Sequence, residues 1–170
     1  MLEHNGAGSV EALVAELVEA RSAFVVAVAD IDPDLLLTPG LVGDWSAREL
    51  IAHLGYWAGH ATEALHHAEE GRMAEFDADV PSVDERNATV ARVAAETDLR
   101  TVRLREEAAF EALLERLRNA DAAWLSERGA SDETVEQLIR EDGPEHYREH
   151  TIDVRAWFDE GADEDEDLEE

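Results

Sequence analysis

Capped amphipathic segments, with no strand pattern between them, set the strongest limit on how this chain can fold. The clearest helix start is at Ser46, where Ser46 and Glu49 have the spacing of a capping box, in which each side chain bonds the other residue's backbone. Ser82 stands three residues before a glutamate and repeats this spacing. Ser9 can cap a first helix that runs to about Asp30. The sequence therefore predicts an all-α protein.

Breaks between the segments predict four principal helices with short extra helical turns. The second helix should end near Gly71, and the third region should break near Asp98. Ser131 can cap a short helix, and Pro144 suits the first turn of a last helix that ends near Gly161. Helices joined in this way pack as an antiparallel four-helix bundle, in which binding sites are built from side chains on facing helices.

The length and the residues absent from the chain predict one soluble domain. A chain of 170 residues can bury a full core without disulfides, and this one has no cysteine. Its start lacks the basic and apolar segments of a secretory signal, which favours a cytoplasmic location and no membrane anchor. We expect a flexible N-terminus over residues 1–8, a helical domain over 9–160 and a disordered acidic tail over 161–170.

The net charge of the chain is strongly negative. It has 42 acidic residues, 14 arginines and no lysine, which gives a net charge of −28. Nine of the acids lie in residues 159–170, and removing them from the total still leaves −19. Such a field repels phosphate backbones, because nucleic-acid affinity comes largely from cationic side chains. We therefore expect no nucleic-acid partner. The excess of acid also suits a protein of a saline cytoplasm, so the habitat stays open.

Three histidines on two predicted helices are the candidate site residues. His146 and His150 are four residues apart, so their side chains project from one helical face about one turn apart. His53 lies at the edge of the apolar arc of the second helix, and an antiparallel partner helix can bring it to this pair. Three imidazoles with an open position suit zinc, nickel or iron. The alternative is that all three are hydrogen-bonded packing residues.

Two acids can orient these imidazoles by accepting a hydrogen bond from the ring N–H that faces away from a metal. Asp153 stands three residues after His150, and Glu49 stands four residues before His53. Glu49 also fits the capping box, so Asp153 is the stronger candidate. The remaining histidines are predicted to be surface or packing residues, namely His4, His60, His66 and His67.

Two segments of the chain have a recognisable family pattern: PGLVGDWSARELIAHLGYWAGHATEAL, with a histidine seven residues after the DWS serine, and DGPEHYREHTIDVRAW. They resemble the DinB-like superfamily, which includes bacterial thiol-dependent transferases and mycothiol-dependent maleylpyruvate isomerases. The segment VDERNATVARVAAETDLR also resembles the third-helix region of actinobacterial members. The resemblance implies an up-down-down-up bundle with a divalent metal held by His53, His146 and His150. His146 stands where the isomerases have an acid, which argues against carrying their activity over.

The leading functional hypothesis is a metal-binding protein that acts as a thiol transferase or hydrolase on a small electrophilic molecule. A bound metal lowers the pKa of a coordinated thiol or water and so supplies a nucleophile near neutral pH. No side chain has the pattern of a covalent nucleophile, and the catalytic residues stay unassigned. The alternatives are a non-catalytic stress-related bundle with a structural or vestigial metal site, and a homodimerisation module.

The charge generates the first testable prediction, on binding to DNA. We expect no measurable binding to a generic DNA duplex at physiological salt, because the body and the tail both repel phosphates. A fluorescence-anisotropy titration checks this, and salt-sensitive binding in that titration would contradict it.

Overall fold

Residues 5–166 are described by the computed structural model, with side chains described from Ser9 to Trp157, and this part of the chain contains helices and no β-strand. The all-α prediction is therefore confirmed. Short 3₁₀ turns lie in the connections. The helices are α1 (Asn5–Ala29), α2 (Ala47–Glu69), α3 (Val83–Ala95), α4 (Leu99–Arg118), α5 (Val135–Arg140) and α6 (His146–Glu166), with a π-helical turn (Glu141–Glu145) between the last two.

The predicted helix starts at Ser46 and Ser82 are both present as complete capping boxes. The Ser46 backbone N–H donates to Glu49 Oε2 at 2.9 Å, and the Ser46 hydroxyl accepts from the first turn of α2. Ser82 makes the equivalent bonds at the start of α3. Asp98 caps α4 by accepting from the Thr101 backbone N–H at 2.9 Å, so the predicted break at this point is also confirmed.

The structure corrects two boundaries in the last third of the chain. The cap of α5 is Thr134, which forms a capping box with Gln137, whereas the Ser131 hydroxyl donates to Glu133. Pro144 does not begin a separate helix, because α5 continues into α6 through the π-helical turn that contains it. A proline lacks the N–H of a regular helical bond, and a π-turn is a place where that α-helical bonding is already interrupted.

The outer limits of the first and last helices also differ from the predicted ones. The first helix begins at Asn5 rather than Ser9, and the last runs to Glu166 rather than ending near Gly161. Residues 1–4 and 167–170 lie outside the described part of the chain. The division into a flexible N-terminus, a helical domain and a disordered tail stays a prediction.

The order of the contacts between helices gives their directions. Helices α2 and α4 run parallel, because Gly55 meets Glu106 and the later His66 meets the later Arg116. Helix α2 is antiparallel to the π-helical turn and α6, because His53 meets His146 and the later His60 meets the earlier Asp142. Helix α1 runs parallel to the π-helical turn and α6, as the pairs Leu17–Gly143 and Phe24–Tyr147 show. The bundle is thus up-down-down-up, as the resemblance implies.

The core lies between the four long helices and the segment around α5. Its largest side chains have no solvent exposure, and each stabilises the fold by about 1.5–3 kcal/mol on leaving water. They are Leu13, Leu17, Leu50, Leu54, Leu65, Leu113, Leu117, Val135, Ile139, Tyr147 and Val154. Within the described residues, none of the helices combines the length and the apolar character needed to span a membrane.

Removing the cap of α2 should cost more stability than removing the cap of α3. Ser46 is buried and Ser82 is exposed, so Ser46→Ala leaves buried polar groups without a partner. We expect a loss of about 1–2 kcal/mol for Ser46→Ala and about 0.5–1 kcal/mol for Ser82→Ala, as measured by urea unfolding. Equal losses would show that burial of the first cap has no effect.

Candidate metal centre

The three predicted histidines meet at one point between α2 and α6. One nitrogen from each of His53, His146 and His150 lies within 4.8 Å of the other two. His53 Nε2 and His146 Nε2 are 2.8 Å apart, and the ring centroids of His53 and His150 are 5.2 Å apart. The antiparallel packing of α2 against α6 thus brings together residues that are more than ninety positions apart in the sequence.

Local structure explains why each ring points to this place. His53 lies seven residues after the Ser46 cap, and its ring contacts Trp45 before α2 and Trp57 one turn later, with centroids 5.0 and 6.4 Å away. His146 begins α6, and its ring contacts Trp57 at 6.4 Å. Aromatic walls therefore fix the imidazoles from the side of α2.

Burial keeps two of the three imidazoles uncharged. Desolvation, followed by the charge of the nearby His150, lowers the pKa of His53 to about 4. Desolvation, followed by the charges of His53 and His150, lowers the pKa of His146 to about 3. Both rings are neutral at pH 7, and the neutral imidazole is the form that binds a metal.

The two predicted orienting acids have different partners. Asp153 Oδ2 lies 2.8 Å from His150 Nδ1, which is the contact that would hold this ring in one tautomer. The Glu49 carboxylate accepts instead from Ser46 and Arg48, so it caps α2. The polar group beside His53 is Asn87, which the sequence analysis did not identify. Asn87 Oδ1 accepts a hydrogen bond from Trp57 Nε1 at 3.0 Å. The Asn87 amide also raises the pKa of His53, against the effect of burial.

The donor set fits a transition-metal ion. Because neutral imidazoles at 2.8 Å can share only one proton, one ring of the His53–His146 pair donates and the other accepts. The Nδ1 atoms of both rings are buried and have no hydrogen-bond partner among the described residues. Because the three ring nitrogens lie within 4.8 Å of one another, only small side-chain rotations are needed to bring each to about 2.0–2.1 Å from one ion. His53, His146 and His150 are therefore suited to hold zinc, nickel or iron.

The three imidazoles form part of the wall of a cavity of about 610 Å³. Most of the residues that line it are polar or charged, and they combine both signs of charge. Besides the three histidines it includes Trp45, Trp57, His60, Asp77, Arg86, Asn87, Glu133, Glu141, Asp142 and Glu149. A cavity of this size accommodates a small molecule beside the imidazoles.

His60, predicted to be a surface or packing residue, lies in the wall of this cavity. Its Nδ1 is 2.5 Å from Asp142 Oδ2, and its Nε2 is 2.9 Å from both Asp77 carboxylate oxygens. Burial alone would lower the pKa of His60, but the bonds and charges of Asp142 and Asp77 together raise it. Carboxylates face both ring nitrogens, and this arrangement favours the imidazolium form of His60. The sequence signal for the position of His60 is its spacing of seven residues from His53, which places both side chains on one face of α2, about two turns apart.

His66 and His67 lie away from the centre. His66 Nδ1 is 2.7 Å from Arg116, and the ring is near Glu69 and Glu70. His67 Nδ1 is 2.9 Å from the Glu63 carbonyl oxygen. His4 lies outside the described residues.

The lowered pKa values generate a prediction on the metal-free protein. Below pH 6.5 the unfolded chain binds protons at His53 and His146 that the folded chain does not, until the pH reaches about 4 and 3. Stability contributed by these groups is therefore complete above pH 6.5 and decreases as the pH falls. Each of the two buried imidazoles should lower the free energy of unfolding by on the order of 1–2 kcal/mol at pH 5 relative to pH 7.

Urea unfolding with a chelator at pH 7 and pH 5 measures this effect against His146→Gln. The variant should lose less stability than the wild type between the two pH values, because it has one buried imidazole fewer. Identical losses would show that burial does not hold His146 uncharged.

Comparisons with known proteins agree with the fold. The DinB superfamily matches residues 16–160. An uncharacterised protein from Escherichia coli UTI89 has a similar structure, with a TM-score of 0.73 at 12% identity over 88% of this chain and 92% of that one. No curated protein sequence is similar enough to count as a match.

Two further similar structures belong to proteins with stated activities. A mycothiol-dependent maleylpyruvate isomerase has a TM-score of 0.71 at 18% identity, with 85% of this chain and 60% of that chain covered. The colibactin self-resistance protein ClbS, in complex with double-stranded DNA, has a TM-score of 0.70 at 14% identity over 86% and 93% of the two chains. At these identities the likeness shows the fold alone. The match over residues 16–160 shows that this chain belongs to the DinB superfamily.

Proposed function

We propose that the protein is a metal-dependent enzyme that transfers a thiol or water to a small electrophilic molecule. The observation that carries this proposal is the convergence of His53, His146 and His150 on one wall of a cavity of about 610 Å³ that is lined mostly by polar and charged residues. A structural metal site is closed by protein ligands, whereas a catalytic site keeps a position for substrate. Three imidazoles beside a cavity match the second arrangement.

Each residue of the centre has a distinct part in this proposal. His53, His146 and His150 would hold the ion, which when bound lowers the pKa of a coordinated thiol or water. Asp153 orients His150 through the 2.8 Å contact at Nδ1. Trp45 and Trp57 exclude water from the His53 side, since both rings contact that imidazole.

A second feature of the cavity is a group that holds an exchangeable proton. The carboxylates of Asp142 and Asp77 favour a proton on each nitrogen of His60, and Asp142 fixes its orientation from the half-buried π-helical turn. The Nε2 proton points to Asp77, whose side chain is 33% exposed and lies in the loop after α2. A ligand that displaces Asp77 would meet this proton.

Support for a thiol comes from the family as well as from the site. The isomerase with a similar fold is mycothiol-dependent by name, and this chain covers 60% of it. A metal-bound thiol also removes the need for a nucleophilic side chain. We further propose that the protein is cytoplasmic and binds a small molecule rather than nucleic acid.

A non-catalytic bundle with a vestigial or structural site is the second candidate. It is favoured by the direct 2.8 Å contact between His53 and His146, which allows the two rings to pair with each other. The homodimer expected as one alternative from the sequence stays a proposal within this second candidate.

Metal content measured on protein purified without a histidine tag tests the centre. We expect one transition-metal ion for each chain, and none in His53→Ala or His150→Ala, because three ligands become two. Asp153→Asn should weaken binding by about 10–100-fold. His66→Ala is the matched control, since this histidine on α2 bonds Arg116 away from the cavity.

The melting temperature of each metal-free variant separates the two candidates. A wild type without metal, together with a destabilised His53→Ala, would mean that the histidines are packing residues. Turnover of small electrophiles with a thiol, lost in the same variants that lose metal, supports the enzyme.

A further inference from the structure

A buried ionic cluster lies in the bundle and is not part of the cavity wall. Arg21 of α1 donates to both carboxylate oxygens of Glu106 of α4, at 2.9 and 2.8 Å. The Tyr147 hydroxyl of α6 donates to Glu106 Oε1 at 2.6 Å. Glu106 is only 5% exposed and Tyr147 has no solvent exposure. Three helices are thus joined through one buried carboxylate.

The fourth long helix meets the same residue through its backbone. A Cβ atom placed on Gly55 of α2 would lie 2.9 Å from Glu106 Cα and 3.3 Å from its Cβ. Ordinary contacts between carbon atoms are about 3.5–4.0 Å. Gly55, which stands two residues after His53, therefore allows α2 and α4 to approach each other closely at the level of the ionic cluster.

Stability alone is a weak reason for such a cluster. Taking a carboxylate and a guanidinium out of water costs several kcal/mol, and a well-packed apolar replacement is often as stable. A bidentate pair constrains the relative orientation of the two helices that carry it, because the guanidinium fork and the carboxylate can pair in few relative orientations. Arg21 is also held over the Phe110 ring, 4.4 Å from its centroid, which fixes the fork further.

Two members of the cluster are next to residues of the candidate metal centre. Tyr147 follows His146 directly, and Gly55 stands two residues after His53. A helix with its side chains has a radius of about 5–6 Å, so a rotation of about 20° moves a side-chain tip by about 2 Å. Metal ligands tolerate errors of about 0.2 Å. The convergence of the imidazoles therefore depends on how α6 is rotated and on how closely α2 is held.

We propose that Glu106, with Arg21, Tyr147 and Gly55, is a positioning cluster that sets the rotation of α6 and the distance of α2 from α4, so that His53 and His146 converge. This inference rests on the proposed metal centre. The cluster residues touch neither the ion nor a substrate, and they act through the helices that carry the ligands.

Titration with Co²⁺ tests this inference, because its visible absorption bands report ligand geometry and the titration gives an affinity. Gly55→Ala should weaken Co²⁺ binding about 10-fold or more and shift the bands, because α2 must move away from α4. Tyr147→Phe should weaken it about three- to tenfold, because one of the bonds that fixes α6 is lost. Both variants should keep the far-ultraviolet circular dichroism of the wild type.

Two matched controls separate positioning from general stability. Gly59→Ala adds the same methyl group to the same helix where no atom lies within 4 Å. Arg140→Gln removes a 2.6 Å ion pair with Glu16 that also joins α1 to the last part of the chain. Both controls should bind Co²⁺ as the wild type does, with unchanged bands.

The possible outcomes distinguish this inference from the proposed function. A lower melting temperature with unchanged Co²⁺ affinity and bands in both Gly55→Ala and Tyr147→Phe would overturn the positioning role and leave the metal centre intact. If Gly55→Ala fails to fold, the Co²⁺ affinity and bands of Tyr147→Phe alone test the positioning role. A wild type that takes up no Co²⁺ would overturn the proposed metal centre and the inference together.

Discussion

The packing of α2 between α4 and α6 is the contact on which the rest of the structure depends. It buries the apolar side of α2, and it places the edge of that side, where His53 lies, against the start of α6. The close approach at Gly55 sets the distance to α4, and the His53–His146 contact of 2.8 Å shows how near α6 comes. A bundle with the same core but a looser α2 would keep its fold and lose the convergence of the imidazoles.

Two groups of histidines with opposite electrostatic character line the cavity. At the candidate centre, burial lowers the pKa values of His53 and His146 and keeps the rings neutral, as metal ligands must be. At the neighbouring position, Asp142 and Asp77 raise the pKa of His60 and favour its cationic form. One cavity therefore contains uncharged ligands and a proton-bearing imidazole, and such separation of protonation states is typical of functional sites.

The helices could be predicted because their signals are local. The capping boxes at Ser46 and Ser82 need only three residues of spacing, and the pairing of His146 with His150 follows from one helical turn. The prediction of Ser131 as the cap of α5 is wrong, although Thr134 and Gln137 also have the three-residue spacing of a capping box and so carried a local signal. Pro144 was taken for the start of a helix, because a π-helical turn has no sequence signal of its own.

The surroundings of the centre could not be predicted, because they depend on the path of a loop and on contacts between distant helices. Asp77 reaches His60 from a backbone with a φ of 55°, a left-handed conformation that few residues other than glycine adopt. Asn87 comes from α3, and the bonds of Glu106 join α1, α4 and α6. None of these contacts follows a periodicity in the sequence. They become visible only when the helices are packed.

An anomalous-difference map tests the account most directly. Crystals grown with zinc, and measured on both sides of the zinc absorption edge, locate the ion without any assumption about its ligands. The account predicts one strong peak for each chain, about 2.0–2.2 Å from a nitrogen of His53, His146 and His150. A well-ordered map with no peak there, or with zinc only on surface carboxylates, would contradict it.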